Sequence, residues 1–189
     1  MHPGTVLVIG YGSDLRGDDA AGQCAAREVA SWRVPHVEVL ALHQLTPELA
    51  ASLAATDRAI FLDAHSAADG PAVRVRRIFP NTPNIHVGHA SEPQAALALA
   101  ESAFGRAPEA WWVTIPALDF SFGAALSLVA ERGVADALEA IGPLLGLGNS
   151  TREARRTEST AARPLPPGSG VVVTDGAGTQ RRDTECPTR

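Results

Sequence analysis

The stretch Val6-Leu7-Val8-Ile9-Gly10-Tyr11-Gly12-Ser13-Asp14-Leu15-Arg16-Gly17-Asp18-Asp19-Ala20-Ala21-Gly22 sets the fold. From Thr5 to Ile9 the chain is a β-branched, apolar run closed by Gly10. This is the pattern of a parallel strand buried on both faces. A polar loop rich in Gly and Asp follows over residues 11–18, and a helix is expected from about Asp19 to Trp32, stopped by Pro35. The Gly10-Tyr11-Gly12 turn after a strand invites a dinucleotide reading, but the spacing refuses it. The third glycine of that fingerprint would fall on Leu15, the next glycine is Gly17, and no acid closes the second strand. No nucleotide is expected.

Working outward, strands and helices alternate. Val37 to Leu42 reads as a second strand, and Thr46-Pro47-Glu48 as a helix start with Thr46 as N-cap and Pro47 in the first turn, ending near Thr56. Arg58 to Asp63 reads as a third strand ending on a carboxylate. Val73 to Phe79 alternates apolar residues with arginine, as a half-exposed strand near an edge does. Ser91-Glu92-Pro93 opens a helix through Phe104, and Ala110 to Ile115 reads as a fifth strand. A last helix over Leu126–Leu147 would carry Leu128, Val129, Val134, Leu138 and Ile141 on one side, with Gly133 as a point of interruption. This order predicts a single three-layer α/β/α domain over residues 1–149, with a mostly parallel central sheet of about five strands. Residues 150–189 hold Pro-Leu-Pro-Pro, Gly-Ser-Gly and Gly-Ala-Gly, and Val171-Val172-Val173 is their one apolar run. They read as a disordered C-terminal tail.

Composition excludes several classes. The chain has 189 residues, and its formal charge of −5 gives no reason to expect nucleic acid as a partner. Mean hydropathy is +0.00, no apolar run is long enough for a membrane span, and Met1-His2-Pro3-Gly4 lacks a basic leader region. A cytoplasmic monomer, without membrane association, is expected. All 16 basic residues are arginine. A P-loop, a pyridoxal Schiff base and a lysine nucleophile each need a lysine amine and have no foothold. Two cysteines, Cys24 and Cys186, cannot make a disulfide framework.

Three residues stand out at element ends that should converge at the carboxyl edge of the sheet, where ligands bind in such folds. Asp19 sits at the first helix, Asp63 at the third strand, and His89 before a helix start. Two carboxylates and an imidazole make a mixed O,O,N set for a borderline divalent metal such as nickel or zinc. Each also has an ordinary use, as helix cap or turn residue, and Asp18 is as good a cap as Asp19. His65 would point the same way as Asp63 if the third strand continued. Arg16 suits a salt bridge or the steadying of an oxyanion.

These residues resemble the nickel-iron hydrogenase maturation proteases, the hydrogenase-specific C-terminal endopeptidases of the HybD type. Gly10-Tyr11-Gly12-Ser13 through Asp18-Asp19 to Gly22 is similar to that family's G-x-G-N-x-x-x-x-D-D/E-x-x-G, with Ser13 in place of Asn. Phe61-Leu62-Asp63-Ala64 is similar to its strand ending in Asp-Ala, and Gly88-His89 to its histidine segment. The resemblance spans residue 5 to about residue 145. It implies one α/β/α domain that removes a short C-terminal extension from the large-subunit precursor of a nickel-iron hydrogenase once nickel is inserted. It also implies that Asp19, Asp63 and His89 contact that nickel, held in the substrate, and serve in catalysis. Metal-assisted hydrolysis and a carboxylate acting as general base on water are both compatible with these residues. A non-catalytic relative that binds nickel or a hydrogenase subunit as an adaptor or chaperone is the alternative.

Overall fold

The computed structural model describes residues 4–81, 92–123 and 125–147. The expected tail, with residues 148–189, and His89 lie outside the described residues. Nine main elements follow in chain order: β1 (Val6–Tyr11), α1 (Ala21–Ser31), β2 (Val37–Leu42), α2 (Leu49–Ala54), β3 (Arg58–Ser66), β4 (Arg74–Ile78), α3 (Pro93–Phe104), β5 (Glu109–Ala117) and α4 (Leu128–Ile141). The strands form one sheet in the order β2-β1-β3-β5-β4. All neighbours are parallel except β4, which runs antiparallel to β5 at the edge. The expected three-layer architecture is therefore present among these residues.

Alternation along each strand divides the core in two. Val6, Val8, Ile60, Leu62, Val113 and Ile115 meet α1 and α4 on one face. Leu7, Ile9, Phe61 and Ala110 meet α2 and α3 on the other. Every residue of β1 is buried, because β1 lies between two strands and under two helical layers, as its unbroken apolar run requires.

Several expectations are corrected. β3 does not end on Asp63 but continues to Ser66, paired with β5 as far as Ser66–Ala117. α2 begins at Leu49, after a turn in which Leu49 N–H bonds Thr46 O, and no side chain caps it. Leu128 is 73% exposed at the first position of α4, so the buried stripe of that helix is Ala130, Gly133, Ala137 and Ile141. Gly133 does not interrupt α4. A Cβ there would lie 2.8 Å from Ile115 Cγ2 and Pro116 Cδ, so glycine lets the helix press onto β5. The helix stops instead at Gly142-Pro143, where a short 3-10 turn takes over.

The topology places the site. From β1 the chain crosses through α1 to β2 on one side. From β3 it proceeds to β4 and β5 on the other. β1 and β3 are neighbours whose continuations part, which opens a crevice at their carboxyl ends.

Candidate functional site

The crevice is walled by the loop between β1 and α1 and floored by the end of β3. Gly12, at φ +134°, turns the chain back so tightly that a Cβ would meet the carbonyl oxygen of Asp19 at 2.0 Å. A Cβ on Gly22 would lie 2.4 Å from the Leu62 carbonyl oxygen and 2.6 Å from that of Tyr11. Only glycine lets the start of α1 lie directly on the ends of β1 and β3. The buried Gln23 secures the turn: its amide donates to Gly12 O and its carbonyl accepts from Arg27.

This packing sends the two consecutive aspartates in different directions. Asp18 is 0% exposed. It accepts hydrogen bonds from Leu118 N (2.6 Å), Asp119 N (3.0 Å), Ser127 N (2.6 Å) and Ser127 Oγ (2.7 Å). Burial raises its pKa, but the bonds from Ser127, Asp119 and Leu118 outweigh burial and hold the carboxyl below its usual range. Asp18 is thus a clamp that ties the loop after β5 to the start of α1. Asp19 is half-buried; its Oδ2 accepts from Ser13 N at 2.8 Å, and its charge reaches Asp63. Asp19 lies in the short turn before α1 and Asp63 lies on β3, both toward the carboxyl side of the sheet.

Asp63 is held by two donors. Tyr11 Oη donates to Oδ2 at 2.7 Å, and Ala64 N donates to Oδ1 at 2.8 Å. Burial pushes its pKa up to about 6; the bonds from Tyr11 and Ala64 oppose the rise and the charge of Asp19 adds to it. Tyr11 is raised far above its ordinary value, by burial first and then by the charge of Asp63, so it remains a donor at neutral pH. The Trp112 indole N–H is buried with no acceptor in good geometry among the described residues. It is nevertheless close enough to Tyr11 and Asp63 to lower both pKa values.

Because β3 continues, His65 shares the face of Asp63. Its Nε2 lies 3.0 Å from Gly70 O, and its Nδ1 is buried without a described partner. The Arg16 carbonyl accepts from Asp19 N at 3.0 Å, but its guanidinium has no described bond to the carboxylates of Asp19 or Asp63. It donates to Phe120 O and lies over the Phe122 ring, 5.3 Å from the centroid, and so braces the same loop that Asp18 clamps. His89 lies outside the described residues, and among the described residues no three His, Cys, Asp or Glu side chains could hold a metal ion together. Tyr11, Gln23 and Trp112 were not singled out from sequence. Tyr11 had one available signal, a hydroxyl at the end of an otherwise apolar strand.

No protein-family model matches the chain, and no curated protein sequence matches it significantly. Solved structures do. The nickel-iron hydrogenase maturation protease HycI of Thermococcus kodakarensis KOD1 superposes with a TM-score of 0.60 at 20% identity, over 75% of this chain and 92% of that one. HybD of Thermococcus kodakarensis gives a TM-score of 0.57 at 23% identity, over 75% and 99%. The hydrogenase maturating endopeptidase HybD of E. coli gives 0.55 at 23% identity, over 79% and 93%. Across most of both chains these superpositions agree: this chain has the fold of the nickel-iron hydrogenase maturation proteases.

Proposed function

We propose that this chain is an endopeptidase that removes the C-terminal extension of a nickel-iron hydrogenase large-subunit precursor after nickel insertion. What supports the reading is the placement of Asp19 just before α1 and of Asp63 on β3, beside the topological switch point between β1 and β3. The names of the superposed proteins give the reaction class. Nickel belongs to the substrate in this reading. Asp19, Asp63 and His89 receive it and so fix the position of the scissile bond.

The geometry around Asp63 suits work on water. Each of its oxygens accepts one hydrogen bond from the protein and keeps one lone pair. The lone pair that the nickel leaves free can take a proton from an attacking water and return it to the leaving amine. Tyr11 and Ala64 fix the carboxyl plane while this happens.

The test is processing of nickel-loaded and nickel-free precursor, read as C-terminal shortening by mass. Wild-type protein should shorten only the nickel-loaded form. Asp19→Asn and Asp63→Asn should each slow shortening by about two orders of magnitude or more while the protein stays folded. Wild-type rates in both variants would remove the site assignment. Tight binding of the loaded precursor by wild-type protein without shortening would replace the protease by an adaptor.

A further inference from the structure

The body of this chain is acidic, with nine arginines against sixteen acids in residues 1–149, yet three of those arginines lie in the five residues of β4. The register shows where they point. Arg74 pairs with Thr114 on β5, which pairs with Asp63 on β3; Arg76 pairs with Trp112, which pairs with Phe61. Directly paired residues share a face of the sheet. Arg74, Thr114 and Asp63 therefore form a row across three strands, on the face where Tyr11 meets Asp63. Arg77, the third, falls on the opposite face and pairs with Glu109 at 2.5 Å.

Both guanidinium groups on the site's face are exposed and held in place. Arg76 stacks over the Trp112 ring, 4.3 Å from the centroid. Trp112 pairs with Phe61, two residues before Asp63 on β3, and so shares the face of Asp63. Arg74 donates to the Asp69 carbonyl. A cation on an aromatic face keeps its edge donors free for a planar acceptor. Two strand spacings, about 10 Å, separate Asp63 from Arg74, which is about three residues of extended peptide, and Arg76 lies one row further along, level with Phe61.

We propose that Arg74 and Arg76 form a carboxylate-binding subsite, and that it takes an acidic side chain about three residues from the bond positioned at Asp63. The proposal rests on the reading of Asp19 and Asp63 as the place of cleavage. The subsite gives the crevice a polarity across the sheet, with carboxylates at β3 and guanidinium groups at β4. A peptide lying on that face along the row of Asp63, Thr114 and Arg74 is then read by charge as well as by its metal.

The probes are three extended octapeptides titrated into full-length, nitrogen-15-labelled protein at low salt: one with a single Glu and an amidated end, its Gln counterpart, and the Gln peptide with a free carboxyl terminus. Followed by the Arg Nε–H and Trp112 indole resonances, the Glu peptide should bind about fivefold to tenfold more tightly than its Gln counterpart. It should move the signals of Arg74 and Arg76, and Arg74→Gln/Arg76→Gln should abolish the difference. Arg33→Gln/Arg132→Gln removes the same charge from exposed positions elsewhere and should leave the difference intact. Equal binding of the Glu and Gln peptides overturns the proposal, as does an equal effect of the two double variants. Preference for the free terminus over the Glu side chain overturns the side-chain assignment. Because the readout is binding, it stands apart from processing. Discrimination without precursor shortening would sink the protease and keep the subsite, and shortening without discrimination would do the reverse.

Discussion

Replacing Asp18 by Asn would put an amide N–H2 among donors that now converge on a carboxylate. Hydrogen bonds to a buried charge are worth more than neutral ones, and unmatched donors are costly. Asp18→Asn should therefore lower unfolding stability by about 2–4 kcal/mol in urea titrations, whereas Asp19→Asn, one residue on and half-exposed, should change it by less than about 1 kcal/mol. Equal losses would mean that the two residues do not divide support and site between them. Asp63 gives a pH signature. Its folded pKa, about 6, lies above the ordinary value of 3.8, so the native state keeps the proton more tightly. The associated stability is fully present below about pH 4 and is lost as pH rises through about 6. At pH 7.5 the full shift corresponds to roughly 3 kcal/mol as an upper value. Asp63→Asn should recover about 1–3 kcal/mol relative to wild type at pH 7.5 and almost none at pH 4. A difference independent of pH would contradict this origin.

Among the elements, the start of α1 matters most for the site. Gly22 lies against two backbone carbonyl oxygens, and backbone cannot yield as a flexible side chain can. Gly22→Ala would gain about 1 kcal/mol of helix propensity in isolation. Here it should cost about 2 kcal/mol or more, because the helix must lift from the strands. The lift also carries Asp19 away from Asp63. The predicted result is lower stability together with a lower Asp63 pKa, measurable by carboxyl carbon-13 titration. Such close approaches are only half legible in a sequence. Glycine spacing in residues 10–22 announces a tight strand-to-helix passage, but which carbonyl each glycine abuts is fixed by the neighbouring strand. The extent of β3 was hidden for a similar reason. Asp63 looks like a strand end because it is charged, whereas pairing with β5 carries the strand on through Ala64, His65 and Ser66. β4 was readable because its alternation of arginine with apolar residues is the direct imprint of an edge.

At the scale of the whole molecule, the layered architecture was legible because burial imposes it: β1 is apolar throughout since no face of it meets water. Asp19 and Asp63 were legible as acids toward the carboxyl side of the sheet, since the order of strands and helices places the turn before α1 and the far part of β3 there. The parts of the site that depend on contacts between distant segments were not. The fastening of the loop after β5 by Asp18, and the approach of Tyr11 and Trp112 to Asp63, join residues about a hundred or fifty positions apart. Nothing in the local pattern of either segment requires these contacts. The sheet is also staggered: pairing of β1 with β3 ends at Gly10 and Leu62, while β3 and β5 go on together. Just past the end of the shorter strand, the Ala64 amide donates to the carboxyl of Asp63. Its proton is thus wired to that one side chain. In a nitrogen–proton correlation spectrum, the Ala64 peak should follow every protonation, ligation or displacement of Asp63, giving the crevice a reporter that needs no label beyond the isotope.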